Sequence, residues 1–361
     1  MIPIYQPDLS GNEKKYLIEC VESTWISSKG KFIDQFEEKF VEFTKADYAT
    51  SVNNGTVAIH LALEALGISA GDEVIVPTLT YIASVNPIVQ VGAIPVFVDS
   101  LESTWQVDPE DIRRKITPKT KAIMVVHLYG QSAEMDAIMQ IAHEYNLLVI
   151  EDCAEAFGTF YKGQHVGTFG DVGTFSFFGN KTITCGEGGM VTAKDKAVYE
   201  KMKHLKNQGV SAEKQYWHDV VAYNYRMTNM QAAIGLAQIE RAEEFIARKK
   251  EIAELYKKYL ADSSVTVHDQ QPETIHSYWM TSILVKDARD RESLRDFLKN
   301  EGIETRPLFY PVHTMPMYET QENFRIANSL GGRGINLPSW PGLTNEQVVF
   351  ICEKIKKYFA L

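Results

Sequence analysis

Three short stretches of this chain hold side chains that could do chemistry. "FSFFGNKTITCGEGGM", residues 175–190, sets one lysine, Lys181, between an apolar run and a glycine cluster. An ordinary lysine amine, with a pKa near about 10.4, is a poor nucleophile at neutral pH. Burial or a neighbouring cation lowers that value and makes the amine able to form a Schiff base with a carbonyl. On charge alone, a lysine leaving a strand end for solvent is the commoner case. "VIEDCAEAFG", residues 149–158, ends an apolar run with Glu151 and Asp152. In an open α/β sheet, ligands bind beyond the carboxyl ends of the strands. Asp152 there is either a helix cap or a carboxylate facing a pyridinium nitrogen. At about 3 Å and an effective dielectric of about 20, that attraction is on the order of 5 kcal/mol before desolvation. "SVNNGTVAIH", residues 51–60, places Gly55 and Thr56 just before a helix. This is an ordinary turn and N-cap, or a cradle whose N–H groups and helix dipole hold a phosphate. Ser176 could add a hydroxyl to it. Tyr81, in "PTLTYIAS", is a core aromatic or a plate for a flat ring.

Positioning these groups requires alternating strands and helices. Residues 57–66 read as a helix, 73–78 as a buried strand, and a helix near 82–91 precedes the apolar run 94–99. Strand signals recur at 121–130, 147–152, 172–178 and 189–193. Met135, Ile138, Met139 and Ala142 fall on one helical face. The alternation predicts an α/β fold with a mostly parallel sheet covered on both faces. Near residue 228 the pattern changes. Thr228 and Gln231 are spaced as a capping box, and a long helical stretch follows to about residue 260. A strand at 278–285, a helix at 291–302 and a strand near 303–309 come next. The closing helix has Thr344 and Gln347 as a second capping box, with Val348, Ile351, Cys352, Ile355 and Phe359 on one face. We expect a large domain over 1–245 and a smaller α+β domain over 246–361.

Composition narrows the classes of function. The 361 residues are 45% hydrophobic and 23% charged, the balance of a soluble globular chain. With 37 basic against 47 acidic residues, the net charge of −10 argues against nucleic acid or anionic membrane as a partner. Cys20, Cys153, Cys185 and Cys352 form no CxxC pair and read as free thiols of a reducing compartment. The opening "MIPIYQPDLSGNEKK" lacks the basic and apolar regions of a secretory signal, and no apolar run has the about 18–20 residues of a membrane span. A cytoplasmic protein with no metal site is expected. "GTFSFFGNKT" approaches a P-loop but fails it, because five residues separate Gly173 from Gly179 and Asn180 splits Gly179 from Lys181. No G-x-G-x-x-G follows the first strand, which argues against a nicotinamide dehydrogenase.

Seven stretches in order, "NNGTVAIHLAL", "VPTLTYIASVNPI", "HLYGQ", "VIEDCAEAFG", "GTFSFFGNKTITCGEGGM", "YNYRMTNMQAAIGLAQIE" and "RPLFYPVHTMPMY", resemble the DegT/StrS-type sugar-nucleotide aminotransferases, over nearly the whole chain. The resemblance implies the aspartate aminotransferase fold (fold type I) and pyridoxal 5'-phosphate, passing through pyridoxamine 5'-phosphate. It implies that Lys181 carries the cofactor and shuttles a proton, Asp152 holds the ring nitrogen, and Tyr81 stacks on the ring. Gly55, Thr56 and Ser176 would hold the phosphate, with Asn224 reaching it from a neighbouring subunit of a homodimer. Arg306 and His313 would lie near the sugar nucleotide, although His313 reads equally as a loop histidine. Glu155 departs from the family pattern, which often has Gln or His near the cofactor's phenolic oxygen, and an acid donates there only when protonated. The implied reaction moves an amino group from L-glutamate to C4 of a 4-keto-6-deoxy sugar joined to GDP, dTDP or UDP, with GDP favoured. Family members that deoxygenate the sugar carry histidine in place of the lysine, so Lys181 points to transamination. A non-catalytic sensor on this scaffold would need neither Lys181 nor Asp152.

Overall fold

The structure is a computed structural model and describes residues 1–360. Its centre is a seven-stranded sheet in the order Tyr48–Val52, Gly189–Ala193, Val172–Ser176, Leu148–Asp152, Thr120–Val126, Glu73–Pro77, Ile94–Val98. Only Gly189–Ala193 runs antiparallel to its neighbours. The other strands share one direction, so their carboxyl ends open on one edge. The inner strands are buried on both faces, as a parallel sheet requires, while the edge strand Ile94–Val98 is exposed or half-buried over its first three residues.

The helix Gly55–Leu66 starts where Asn54 Oδ1 accepts the Val57 N–H at 3.0 Å, and ends at Gly67, whose φ of 79° suits glycine. Both capping boxes form, at Thr228/Gln231 and Thr344/Gln347. Two helices ahead of the first strand, Glu13–Glu22 and Lys31–Thr44, were not among the expected elements. Phe36 and Phe40 of the second meet Phe177 and Phe175 edge-on, with ring centroids 5.2 and 4.9 Å apart. Each such aromatic pair contributes about 0.5–1.5 kcal/mol beyond the area it buries.

The stretch expected as one helix from 228 to about 260 is two, Asn229–Ile239 and Ala242–Leu260. At the break Arg241 leaves helical geometry, with φ −114° and ψ 11°, and both junction residues are bound by the N-terminal segment. Asp8 holds Arg241 through its guanidinium (3.1 Å), and Glu240 accepts from Asn12 and Tyr16, both at 2.7 Å. The second helix runs across residue 246 and packs on an antiparallel sheet, in the order Val265–Val267, Thr281–Val285, Gly334–Leu337, Arg306–Pro307. Ile252, Tyr256, Ile283, Leu294, Ile335 and Ile351 form a core there. A larger core includes both Val126 of the central sheet and Leu308 and Leu330. Among the described residues, no helix is long and apolar enough to cross a membrane.

Candidate active site

A cavity of about 580 Å³ opens at the carboxyl edge of the central sheet. Gly55, Thr56, Tyr81, Asp152, Glu155, Ser176, Lys181 and Arg306 all line it. Eight of the ten expected site residues are thus brought together, although they come from five separate stretches of chain.

Lys181 sits in the loop between the two last strands of the sheet. The aromatic run before it does not provide its surroundings. Phe175 and Phe177 point into the core beneath the sheet, and Phe178 is exposed. The apolar neighbour of the amine is Trp279, with Nζ 4.0 Å from its ring centroid, close enough for a cation–π contact. Glu155 Oε1 lies 3.9 Å from the same Nζ. Burial pushes the Lys181 amine below the ordinary lysine value, against the pull of Glu155 and Asp152.

Glu151 and Asp152 leave the strand on opposite faces, as neighbours in a strand must. Asp152 is buried beside the cavity. Its Oδ2 accepts from Ser84 Oγ at 2.7 Å and its Oδ1 from the Ala154 N–H at 3.0 Å. Thr80 Oγ1 lies 2.8 Å from Ser84 Oγ and steadies it. Glu151, fully buried, accepts from the N–H groups of Gly167, Phe169 and Gly170 at 2.7–2.8 Å. His127 Nε2 is 3.0 Å from Glu151, while its Nδ1 accepts from the Ala133 N–H at 3.2 Å, which leaves Nε2 to donate to the carboxylate. Burial pushes the Glu151 carboxyl up, but the His127 bond and the backbone donors hold it below its usual value. His127, Glu151 and Cys153 cluster closely enough to suggest a metal site, yet the two polar members already spend their ligand atoms on one another and on backbone.

Glu155 is held by the Tyr129 N–H at 2.7 Å, which comes from a residue at φ 57°, in the left-handed region. Burial raises its pKa to about 7, with Asp152 adding to the rise and Lys181 and the Tyr129 bond opposing it. Near neutral pH its acid form is therefore well populated, and that form can donate.

Also lining the cavity, the first N–H groups of the Gly55–Leu66 helix have no intrahelical acceptor. A Cβ built on Gly55 would sit 2.7 Å from Ser176 Cβ, so the backbone and the serine approach as closely as only glycine permits. Gly55→Ala is expected to weaken retention of a phosphate-bearing cofactor by about tenfold, or about 1.4 kcal/mol. Titrating cofactor-free protein by absorbance reads this directly, and wild-type affinity would refute the cradle.

Two expected residues stay outside the cavity. Asn224 is exposed, and its Oδ1 accepts from Arg226 Nε at 2.9 Å. A role at the phosphate therefore depends on a second copy of the chain. His313 is buried, its Nδ1 2.7 Å from Thr78 Oγ1 and its ring against Phe324. It joins two loops rather than lining the cavity.

Three contributors were missed. Ser84 lay within the stretch that gave Tyr81, four residues beyond Thr80, without a signal of its own. Trp279 lay in a run expected as strand from 278, but the strand begins at Thr281. His276 Nδ1 takes the Tyr278 N–H at 2.8 Å, and Trp279 Nε1 donates to Asn180 O at 2.7 Å, which diverts the chain from the sheet. Phe309, in the quoted "RPLFYPVHTMPMY", adds a wall beside Tyr81, with centroids 5.5 Å apart.

An amine and a carboxylate on one cavity, with aromatic rings and a helix start in its lining, fit a pyridine ring that carries an aldehyde and a phosphate. The comparisons agree. Residues 7–356 match the DegT/DnrJ/EryC1/StrS aminotransferase family, and the chain belongs to it. Members of this family depend on pyridoxal 5'-phosphate and share fold type I. The chain is 61% identical to GDP-perosamine synthase of Escherichia coli O157:H7, over 99% of each chain. It is 56% identical to GDP-perosamine synthase of Vibrio cholerae, again over 99% of each. The aminotransferase TlmJ from Streptoalloteichus hindustanus has a matching structure, with a TM-score of 0.95 and 27% identity, covering 100% of this chain and 99% of its own.

Proposed function

We propose that this chain transfers an amino group from L-glutamate to C4 of GDP-4-keto-6-deoxy-D-mannose, giving GDP-perosamine for O-antigen and lipopolysaccharide biosynthesis. The observation that carries the reading is the full-length 61% identity to the Escherichia coli O157:H7 protein. The joint placement of Lys181 and Asp152 on one cavity fits the class of reaction. We further propose that the enzyme works as a cytoplasmic homodimer, in which Asn224 serves the neighbouring site. In the same reading, residues 1–245 carry the cofactor and residues 246–361 form a smaller unit beside it.

Pyridoxal 5'-phosphate, when bound, supplies an aldehyde that takes up and gives back an amino group, and a ring that withdraws electrons. The residues supply the rest. Lys181 Nζ, whose amine burial makes a weaker base than an ordinary lysine, would take a proton from the donor's Cα and then give it up as an acid at a different carbon. Asp152 would set its carboxylate opposite the ring nitrogen, and Ser84 and Ala154 hold that carboxylate still. The Gly55 and Thr56 N–H groups and the Ser176 hydroxyl would bind the phosphate, and Tyr81 would flank the ring. Arg306, at the cavity mouth, offers a cation to the diphosphate of the sugar nucleotide. Glu155 in its acid form would donate toward the phenolic side of the ring, and as a carboxylate, 3.9 Å from Lys181 Nζ, it would steady the ammonium form. Donor and acceptor use one site in turn, so ping-pong kinetics are expected.

Glu155 leaves a mark on stability. Its folded pKa of about 7 lies above the unfolded value. Between about 4.3, the unfolded value, and about 7, the unfolded chain binds fewer protons, so this group lowers stability as pH rises, by up to about 1.4 kcal/mol per unit. Glu155→Gln is expected to flatten that slope in cofactor-free protein, as measured by denaturant unfolding between pH 5 and 8. Equal slopes in variant and parent would show that Glu155 ionises normally.

The substrate is tested by supplying 4-keto-6-deoxy sugars linked to GDP, dTDP and UDP with L-glutamate and weighing the products. An amino sugar from the GDP substrate alone is expected. An inert GDP substrate beside an active dTDP or UDP one would overturn the proposed substrate while leaving the family intact, and a deoxy sugar would replace transamination by dehydration.

A further inference from the structure

We propose that Tyr5 is a positioning residue for the amine of Lys181 and that the buried Lys249 locks Tyr5 in place; this rests on the reading of Lys181 given above. Residues 2–5 are woven into the 302–339 region. Ile2 N–H donates to Gly302 O at 2.7 Å, and Glu304 N–H to Ile2 O at 2.9 Å. Ile4 N–H donates to Glu304 Oε2 at 3.0 Å, and Ser339 N–H to Ile4 O at 3.2 Å. From this anchored segment Tyr5 crosses to the lysine loop, where its hydroxyl donates to Lys181 O at 2.6 Å. Burial pushes the Tyr5 hydroxyl far above its ordinary pKa, so it stays a donor at any working pH.

The bond lands where it matters. The peptide unit before Lys181 is held by Trp279 on Asn180 O, and the Lys181 N–H donates to Phe178 O at 2.9 Å. With Tyr5 on the following carbonyl, both peptide planes around the Lys181 Cα are fixed. Two of the three restraints come from residues outside the loop. An amine that must stay between Glu155 and Trp279 needs its Cα fixed in this way, because a small error in placing a reacting group is costly.

Lys249 explains why Tyr5 is held so firmly. It is wholly buried, and no carboxylate pairs with it among the described residues. Its Nζ donates to Ser339 O at 3.0 Å and lies 5.5 Å from the Tyr5 ring centroid. A buried amine without a counter-ion is costly, and an apolar side chain would fill the same space at less expense. The amine here bridges the 339 carbonyl, next to where residue 4 docks, and the face of Tyr5. Burial alone brings its pKa down to about 7.

Tyr5→Phe removes one oxygen and keeps the ring. It is expected to lower kcat about tenfold, leave KM for both substrates within about twofold, and speed amide hydrogen exchange over residues 178–185 of the cofactor-free protein. Lys249→Met is expected to shift the same quantities in the same direction, with no further loss when joined to Tyr5→Phe. Lys249→Gln replaces it should the methionine variant not fold. Unchanged exchange, or unchanged kcat, in Tyr5→Phe overturns the role of Tyr5. Additive losses in the double variant overturn that of Lys249. An active Lys181→Ala enzyme would sink the reading of the lysine instead, and the exchange result would stand apart from it.

Discussion

Lys181→Ala is expected to abolish turnover, by at least about 10⁴-fold, and with it the visible absorbance of lysine-bound cofactor. Lys181 is the sole lysine lining the cavity. Its Nζ is flanked by Glu155 at 3.9 Å and Trp279 at 4.0 Å, so no other amine can take its place without moving one of them. The fold should survive, because the bonds around this residue use its backbone N–H and carbonyl. The loss of a cation that lowers the Glu155 pKa should also raise that value above about 7. Circular dichroism and thermal unfolding check the fold, a coupled assay checks turnover, and absorbance checks the cofactor. Near-normal activity would remove the basis of the mechanism.

Asp152→Asn is expected to lower kcat by about 10³- to 10⁴-fold while cofactor stays bound. The amide oxygen can still accept from Ser84 or Ala154, so the side chain should stay in place. What disappears is a negative charge in a buried position. Opposite charges about 3 Å apart at an effective dielectric of about 20 attract by on the order of 5 kcal/mol, and each 1.4 kcal/mol is about a factor of ten. The phosphate cradle and Lys181 are untouched, so cofactor should remain after gel filtration, and the deficit should appear in kcat. A loss of less than about tenfold would mean that the ring nitrogen draws its proton from elsewhere.

The sequence made the central sheet readable because buried parallel strands are apolar runs with turn residues between them. The cavity was readable for the same reason: in such a sheet strand ends are where ligands sit, and Asp152 and Ser176 both end strands. The helix Lys31–Thr44 carries its own signal in the sequence, with Phe32, Phe36 and Phe40 four residues apart on its buried face. Long-range pairings were out of reach. Nothing near residue 240 says that a helix will break there, or that Asp8, Asn12 and Tyr16 will meet it at the break. Nothing near Lys181 says that its aromatic neighbour will be Trp279 rather than the phenylalanines beside it. The same holds for the acidity of Glu155, which depends on burial beneath a backbone N–H from Tyr129. Residue types foretold the chemistry, and tertiary contacts decided which partner performs it.

Glu151 and Asp152 stand back to back, one gathering three main-chain donors into a tight turn, the other open to the ligand. A strand that gained or lost a single residue upstream would exchange their outlooks, turning the loop's anchor toward the cofactor and the cofactor's counter-ion into the loop. This strand is thus closed to one-residue insertions and deletions, and the reading frame of five residues guards the reaction as firmly as the reactive groups themselves.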